Sequence, residues 1–464
     1  MTLKTLSLTA IRFSAVIFFL CTTGCKKDDN TEQPEVKLTD FTLLHPDGTS
    51  FESDEIAVEI KEDSINVLVP HFTDLTALKY KAEDKVLKHS EDEILDFSKP
   101  IVFTIQSEGP ATKKYIITVK HDKLKNMVYF GGHDKTFYAL YNRNGKKIWD
   151  FKAEGDFSYS GPAFSKGVLY AGNTDGYLYA LDAETGALKW KYKTGGIITS
   201  SPTVADGIVY VGSYDRKLYA IDAETGVPKW TFTTGYLIDS DPVVVNNMVY
   251  FASDDGYLYA LTKKGQPKWQ YNTGSLIVSS SPLVVEDVIY IGSRTGYLYA
   301  INTADGAEKW RIKSDNGTME HAMPVIYNGI IYFSSGYDLN YGPPNNHPGS
   351  LYAINASDGS LVWKKLDALG FTSGPSISNG NLYINADDGK IYCVNTSTGN
   401  IVWSKAIYAN GVVPTVVDEV VYPGGGGGRY FNAFNALTGT LKWAFPIENS
   451  LTTSRPYVIG KNGY

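Results

Sequence analysis

The chain contains eight tryptophans, and every one occupies the same place in one repeated phrase. They are Trp149, Trp190, Trp230, Trp269, Trp310, Trp363, Trp403 and Trp443, spaced 39–41 residues apart except for one gap of 53. A glycine precedes each by four residues: Gly145, Gly186, Gly226, Gly265, Gly306, Gly359, Gly399 and Gly439. A period near 40 is the signature of stacked supersecondary units, none of which can bury its apolar faces alone.

The clearest unit runs from Val204 to Trp230. It contains Gly207-Ile208-Val209-Tyr210-Val211-Gly212, then Arg216-Lys217-Leu218-Tyr219-Ala220-Ile221, the turn Asp222-Ala223-Glu224-Thr225-Gly226, and Val227-Pro228-Lys229-Trp230. Short runs rich in Val, Ile and Tyr, bounded by Gly and Asp, predict antiparallel hairpins. No stretch of this region spaces apolar residues at helical periodicity over ten or more residues. Four strands per 40 residues predicts a propeller blade. The fixed Trp is then a wedge between neighbouring blades, its burial contributing about 2–3 kcal/mol.

Counting units predicts closure. A proline opens the first strand of each: Pro162, Pro202, Pro242, Pro282, Pro324, Pro375, Pro414 and Pro456. In the first seven a tyrosine follows eight residues later, from Tyr170 and Tyr210 to Tyr383 and Tyr422. The region begins at Met127-Val128-Tyr129-Phe130, which matches a second strand, and ends with Arg455-Pro456-Tyr457-Val458-Ile459, which matches a first. The last strand can therefore complete the blade that the first strands begin, leaving no open edge. The expectation is an all-β chain: an eight-bladed β-propeller over 127–464, preceded by a small Ig-like β-sandwich.

The phrase from Tyr179 to Trp190, Tyr-Ala-Leu-Asp-Ala-Glu-Thr-Gly-x-x-x-Trp, echoed from Tyr219 to Trp230, resembles the tryptophan-docking repeat of PQQ-like propellers. Departures are mild: Asn432 replaces the repeat tyrosine in the last unit, and Cys393 replaces the small alanine in the seventh. The resemblance implies one of two branches. One holds the quinoprotein dehydrogenases, the other non-catalytic members such as the propeller lipoprotein of the outer-membrane β-barrel assembly machinery.

The N-terminus bears on compartment. Lys4 and Arg12 precede the apolar run Phe13 to Leu20, too short for a permanent span, followed by Cys21-Thr22-Thr23-Gly24-Cys25. Small residues before a cysteine after such a run resemble a bacterial lipobox. This implies a signal peptide over 1–24, lipid attachment at Cys25 and a tether over 25–35; an ordinary cleaved secretory signal is the alternative. Several acyl chains anchor a protein stably where one does not. Lys26-Lys27-Asp28-Asp29 resembles an export tag for the outer leaflet, so the expected location is the outer membrane, at the cell surface or else on its periplasmic face.

Between tether and propeller, 36–121 alternates apolar and polar residues, as in Ile56-Ala57-Val58-Glu59-Ile60, at a length that suits a small β-sandwich. Thr73-Asp74-Leu75-Thr76-Ala77-Leu78 and Asp96-Phe97-Ser98-Lys99-Pro100 resemble Ig-like or cadherin-like modules of surface lipoproteins, which implies a spacer. A net charge of −7 without a dense basic patch argues against a nucleic-acid partner. With Cys25 acylated, Cys393 is left alone, a core thiol rather than half of a disulfide.

Catalytic signatures are missing. Quinoprotein dehydrogenases typically use an adjacent cysteine pair and carboxylate and amide ligands for calcium. This chain has no Cys-Cys pair and no Cys-x-x-Cys-His haem site. Asp182-Ala183-Glu184-Thr185-Gly186 closes a hairpin and lacks the spacing of a calcium loop. Gly424 to Gly428 is followed by no Lys-Ser/Thr. The expectation is a non-enzyme without cofactor or metal, although Asp239, Asp241 and His321 keep a weak metal reading open.

A binding site belongs where the repeat is broken. The sixth unit carries an insertion from Gly336 to Gly349, the last presents Gly424 to Gly428, and Glu320-His321 interrupts the Ser-Ser-Pro pattern seen at Ser200-Ser201-Pro202. All lie on the face shared by the loops before the first strand and those joining the second to the third. The candidate binding residues are Glu320, His321, Tyr337, Asp338, Asn340, Tyr341, His347, Arg429 and Tyr430. Aromatics beside amides, acids and an arginine suit a protein hot spot or a sugar ring. Three functions stand: a surface lipoprotein binding an envelope protein or glycan, a periplasm-facing scaffold of outer-membrane protein assembly, and, least favoured, a PQQ-dependent dehydrogenase.

Overall fold

Each 40-residue period folds into an antiparallel four-stranded sheet in simple sequential order. The computed structural model describes residues 38–462 apart from 39, 52–54, 83–84, 107–109, 278, 316–317, 320–322, 337–348, 366–370, 372, 387, 408–411, 425–428 and 448–453. In the third sheet the strands are Thr203–Ala205, Ile208–Gly212, Lys217–Asp222 and Pro228–Thr233. The second and third strands are apolar runs because both their faces are covered: Val209, Tyr210, Val211, Leu218, Ala220 and Ile221 are fully buried. The fourth strand alternates half-buried and exposed residues. Its solvent edge carries lysine at the same position in neighbouring sheets (Lys189, Lys229, Lys268, Lys309), which discourages edge-to-edge pairing.

Eight such sheets are present among the described residues, and they are the blades of a β-propeller. Seven are built from consecutive strands. The remaining one joins Met127–Gly131, Thr136–Tyr141 and Lys147–Lys152 to the C-terminal strand Tyr457–Ile459. Tyr457 pairs with Tyr129, Val458 with Val128 and Ile459 with Met127, so the two ends of the region share one blade. Blades are numbered here by their tryptophans, with Trp149 in blade 1.

The repeat tryptophan links each blade to the next. Trp190 Nε1 donates to Ala223 O at 3.0 Å, Trp230 Nε1 to Lys263 O at 2.8 Å, and Trp443 Nε1 to Asn142 O at 2.7 Å, the last bond joining blade 8 to blade 1. The glycine four residues before the next tryptophan lies under the indole: a Cβ on Gly226 would stand 2.8 Å from Trp190 Cδ2, and one on Gly145 2.6 Å from Trp443 Cε3. At φ +71° and +74° these two positions also favour glycine by backbone conformation. The repeat tyrosine reaches the same acceptor. Ala183 O takes both Trp149 Nε1 at 3.1 Å and Tyr129 Oη at 2.9 Å, and a carbonyl has two lone pairs for this.

A second set of bonds ties the blades near the axis. The buried Ser200 hydroxyl accepts from Gly212 N–H at 3.2 Å and donates to Ser240 O in the next blade at 2.9 Å. Ser160 repeats this with Gly172 and Ser200, and Ser454 Oγ accepts from Gly131 N–H at 2.9 Å in the shared blade. Ser160 and Ser200 are thus rivets between blades, whereas Ser240 Oγ turns back to Ala252 O of its own blade.

By contact density the described residues up to Val67, with Leu75–Val119, form one compact unit, and Leu68–Asp74 with Lys120 onwards form the other. Leu68–Asp74 was expected within the N-terminal module over 36–121, yet groups with the propeller, where Phe72 packs edge-on against Tyr141 at 4.9 Å. The first unit has a five-stranded and a two-stranded sheet. They meet through aromatic contacts of Phe103 with Phe41 at 6.0 Å and Tyr80 at 4.7 Å. No helix long and apolar enough to cross a membrane occurs among the described residues.

Candidate functional site

In a four-stranded blade the chain leaves the fourth strand, and passes from the second to the third, on the same side of the ring. On that side most acidic side chains serve the frame. Asp175 Oδ2 accepts from Tyr179 Oη at 2.7 Å, Asp255 Oδ2 from Tyr259 Oη at 2.7 Å and Asp388 Oδ2 from Tyr392 Oη at 2.6 Å. Burial first, then the carboxylate partner, raises the pKa of each of these phenols far above its ordinary value.

Of the nine expected binding residues, Glu320, His321, Tyr337, Asp338, Asn340, Tyr341 and His347 lie outside the described residues, as does Cys25. Arg429 and Tyr430 are described. Tyr430 opens the third strand of blade 8 with 55% of its surface exposed, and Arg429 O accepts from Ile447 N–H at 2.8 Å. The weak metal reading gains nothing. Both Asp239 oxygens are used by Ser279, from its N–H at 3.0 Å and its hydroxyl at 2.6 Å, and no group of three or more His, Cys, Asp or Glu with metal-site geometry occurs among the described residues.

The same side carries apolar and aromatic groups that the sequence reading passed over. Tyr159, Tyr236 and Leu276 stand in the loops leading into blades 2, 4 and 5, and Tyr214 in the loop between the second and third strands of blade 3; all four are exposed. Their positions form an arc over consecutive blades. Tyr214 is partly enclosed, and that enclosure, then Asp239 and Asp254 nearby, raises its phenol pKa. Four exposed large apolar or aromatic side chains on neighbouring loops are more than scattered surface hydrophobes require.

The residues that enter the first strands on this side line an axial channel, a cavity of about 580 Å³. Its collar is made by prolines from successive blades, including Pro162, Pro202, Pro242, Pro282, Pro324 and Pro456. The residue before the proline varies round the ring, as Gly161, Ser201, Asp241, Ser281, Met323, Gly374, Val413 and Arg455, and all of these but Gly374 line the cavity. Only two are charged. Asp241 Oδ1 accepts from Ser201 N–H at 2.6 Å, and Asp241 N–H donates to Ser281 Oγ at 2.9 Å. Gly161 N–H donates to Ser201 Oγ at 3.0 Å, so the ring positions are themselves bonded blade to blade. Asp241 is half-buried, and burial pushes its carboxyl up to about 6, opposed by the Ser201 bonds and by Arg455. The Arg455 side chain stands exposed in the lumen, but the enclosing ring holds its pKa below the usual value, with Asp241 opposing the shift.

A quinone cofactor with its calcium does not fit this collar. Asp241 is the one carboxylate among its lining residues, too few for calcium, and its Oδ1 already accepts from Ser201 N–H. The described part of the chain has a single cysteine, Cys393, fully buried in blade 7.

The family described as "Outer membrane protein assembly factor BamB" matches residues 133–237, 236–341 and 347–458. Among solved structures, BamB from Moraxella catarrhalis superposes with a TM-score of 0.55 at 18% identity, over 68% of this chain and 93% of its own. The computationally designed protein Ika8 gives 0.54 at 17%, over 65% and 91%. Quinohemoprotein alcohol dehydrogenase from Comamonas testosteroni gives 0.56 at 17%, over 72% and 73%. At these identities the structural likenesses show a shared propeller fold and nothing finer. No curated protein matches the chain.

Proposed function

This chain belongs to the family of outer membrane protein assembly factor BamB, and on that premise we propose that it is a non-catalytic propeller scaffold that holds a protein partner at the outer membrane. The observation that carries the reading is the exposed arc of Tyr159, Tyr214, Tyr236 and Leu276, with Tyr430 exposed on the same side of the ring. Tyrosine offers a large rigid contact area at little conformational cost and is enriched at binding hot spots. The frame beneath it is cross-braced by the tryptophan and serine bonds, so the face is held in shape before a partner arrives. The proposed anchor is an acylated Cys25, with the N-terminal β-unit as a spacer of Ig-like type.

The test is capture from solubilised envelopes by wild type and by a Tyr159→Ser, Tyr214→Ser, Tyr236→Ser variant. Wild type is expected to retain an envelope protein that the variant releases at unchanged melting temperature. Equal capture by both would refute the face, and displacement by soluble glycan would move the reading from protein to sugar. Cell-surface and periplasmic placement are separated by protease access on intact cells.

A further inference from the structure

The eight collar positions are equivalent by the repeat, so a difference among them is a difference in what the channel can hold. Arg455 is the single cation among the lining residues, and among the described residues its guanidinium makes no hydrogen bond. Its backbone is fixed on both sides: Ser454 Oγ accepts from Gly131 N–H at 2.9 Å, and Tyr457–Ile459 is zipped into blade 1. Next to it, Gly161 keeps the lumen clear, since a Cβ there would lie 3.3 Å from Arg455 Cβ. Five N–H donors in a planar fork match a carboxylate edge to edge. The Ser281 hydroxyl accepts from Asp241 N–H and keeps its own proton to donate. Prolines, valines, Leu283 and Met323 make up much of the remaining lining and suit an apolar stem, with Ser201, Thr203, Thr415 and Tyr457 among them, and about 580 Å³ lies within the ordinary range of small-molecule sites.

We propose that the channel mouth is a carboxylate-binding site in which Arg455 grips the anion and Asp241, across the collar, opposes it. The proposal rests on the reading of this face as a binding surface and gives it a chemistry. The carboxylate can be that of a free small acid or of an acidic side chain that a partner inserts into the channel. The titratable groups around Asp241 are few: Arg455 and Tyr457 in the collar, and Asp239 two residues away, whose oxygens are held by Ser279. Tyr457 has its pKa raised by burial and stays neutral. With its carboxyl pushed up to about 6, Asp241 is charged at pH 7.5 and competes with the ligand for Arg455; at pH 5 it is neutral and the competition is gone.

The experiment is calorimetric titration of the full chain with succinate, and separately with a capped Gly-Glu-Gly peptide, at pH 7.5 and pH 5. For wild type, binding is expected to tighten about tenfold at the lower pH, the size of one partly screened charge contact. Asp241→Asn is expected to bind tightly at both pH values, a gain that misfolding cannot imitate. Arg455→Gln is expected to lose binding at both. Succinate alone binding assigns the site to a free acid, and the peptide alone binding assigns it to a partner's side chain. The inference is overturned if Asp241→Asn gains nothing at pH 7.5, if Arg455→Gln still binds, or if neither probe binds. Capture of a partner through the tyrosine arc without any carboxylate binding would overturn this inference alone.

Discussion

Two glycines in blade 3 isolate what tryptophan docking contributes. Gly207 and Gly226 have nearly the same backbone, φ +75° and +71°, and an alanine at either is expected to cost about 1–2 kcal/mol for the left-handed conformation. Around Gly207 a Cβ would meet nothing within 4 Å, so that cost is the whole effect. At Gly226 the Cβ would lie 2.8, 2.9 and 3.0 Å from Cδ2, Cε3 and Cγ of Trp190. The indole is held in place: its Nε1 bonds Ala223 O at 3.0 Å and its ring packs 5.7 Å from Tyr170. Relief therefore means either overlap, at about 1–3 kcal/mol, or withdrawal with loss of the hydrogen bond, about 0.5–1.5 kcal/mol, together with loss of buried ring area. Gly226→Ala should then exceed Gly207→Ala by about 2 kcal/mol or more. Urea unfolding followed by tryptophan fluorescence and far-ultraviolet dichroism measures both, compared at equal m-value. If the two variants lose the same stability within about 0.5 kcal/mol, a precision two-state fits reach for paired variants, the indole is not seated on this turn.

Three further outcomes are expected. Ser200→Ala strands the buried Gly212 N–H and Ser240 O and should cost about 2–3 kcal/mol, against about 1 for Ser201→Ala, whose loss is one partly exposed bond; equal costs would show that the inner serine ring does not brace the blades. Burial, then His121, holds the His71 imidazole down at about 4, so the unfolded chain takes up a proton near 6.5 while the folded one does not. Stability should fall as pH drops from about 6.5 to 4, by up to about 3 kcal/mol from this group, and His71→Met should flatten that slope; an unchanged slope would refute the assignment. Cys393 is fully buried and its thiol is pushed up to about 11, so in a chain with Cys21 and Cys25 replaced by serine it should resist a thiol reagent until urea unfolds the propeller, and rapid reaction of the native protein would contradict the packing.

The spacing of Trp, Gly and Pro makes the propeller legible from residues alone, because each is a contact repeated around the ring. The Trp needs its neighbour's Gly, and the terminal strands need each other. The serine rivets were visible as a repeated Ser-Ser-Pro, but only coordinates reveal that Ser200 reaches across to Ser240 while Ser201 turns its hydroxyl to Gly161. The candidate site was less legible for a physical reason. Insertions stand out in a sequence, and 336–349 and 424–428 are the conspicuous breaks in the repeat. Tyr159, Tyr214 and Tyr236 are single substitutions inside loops of ordinary length, and nothing local distinguishes an exposed tyrosine from the buried ones at Tyr210 and Tyr219.

A signal for them was nevertheless present. At the centre of the loop between second and third strands the chain reads His133, Thr174, Tyr214, Asp254 and Arg294 in successive blades, while the residue after it is Asp134, Asp175, Asp215, Asp255 and Thr295. The near-constant member is consumed by the frame, as the bonds of Asp175 and Asp255 to their tyrosines show. The variable one makes no such repeated bond: Thr174 Oγ1 accepts from Asp156 N–H and His133 pairs with Asp156, each in its own way. The collar repeats this logic, a fixed proline preceded by a residue that runs from glycine to arginine. In a ring of equivalent blades, a position whose identity the fold enforces cannot discriminate between partners, because it is the same all the way round. Chemical direction must come from positions at which the blades differ, and on this molecule those positions converge on one side of the ring and on the rim of one channel.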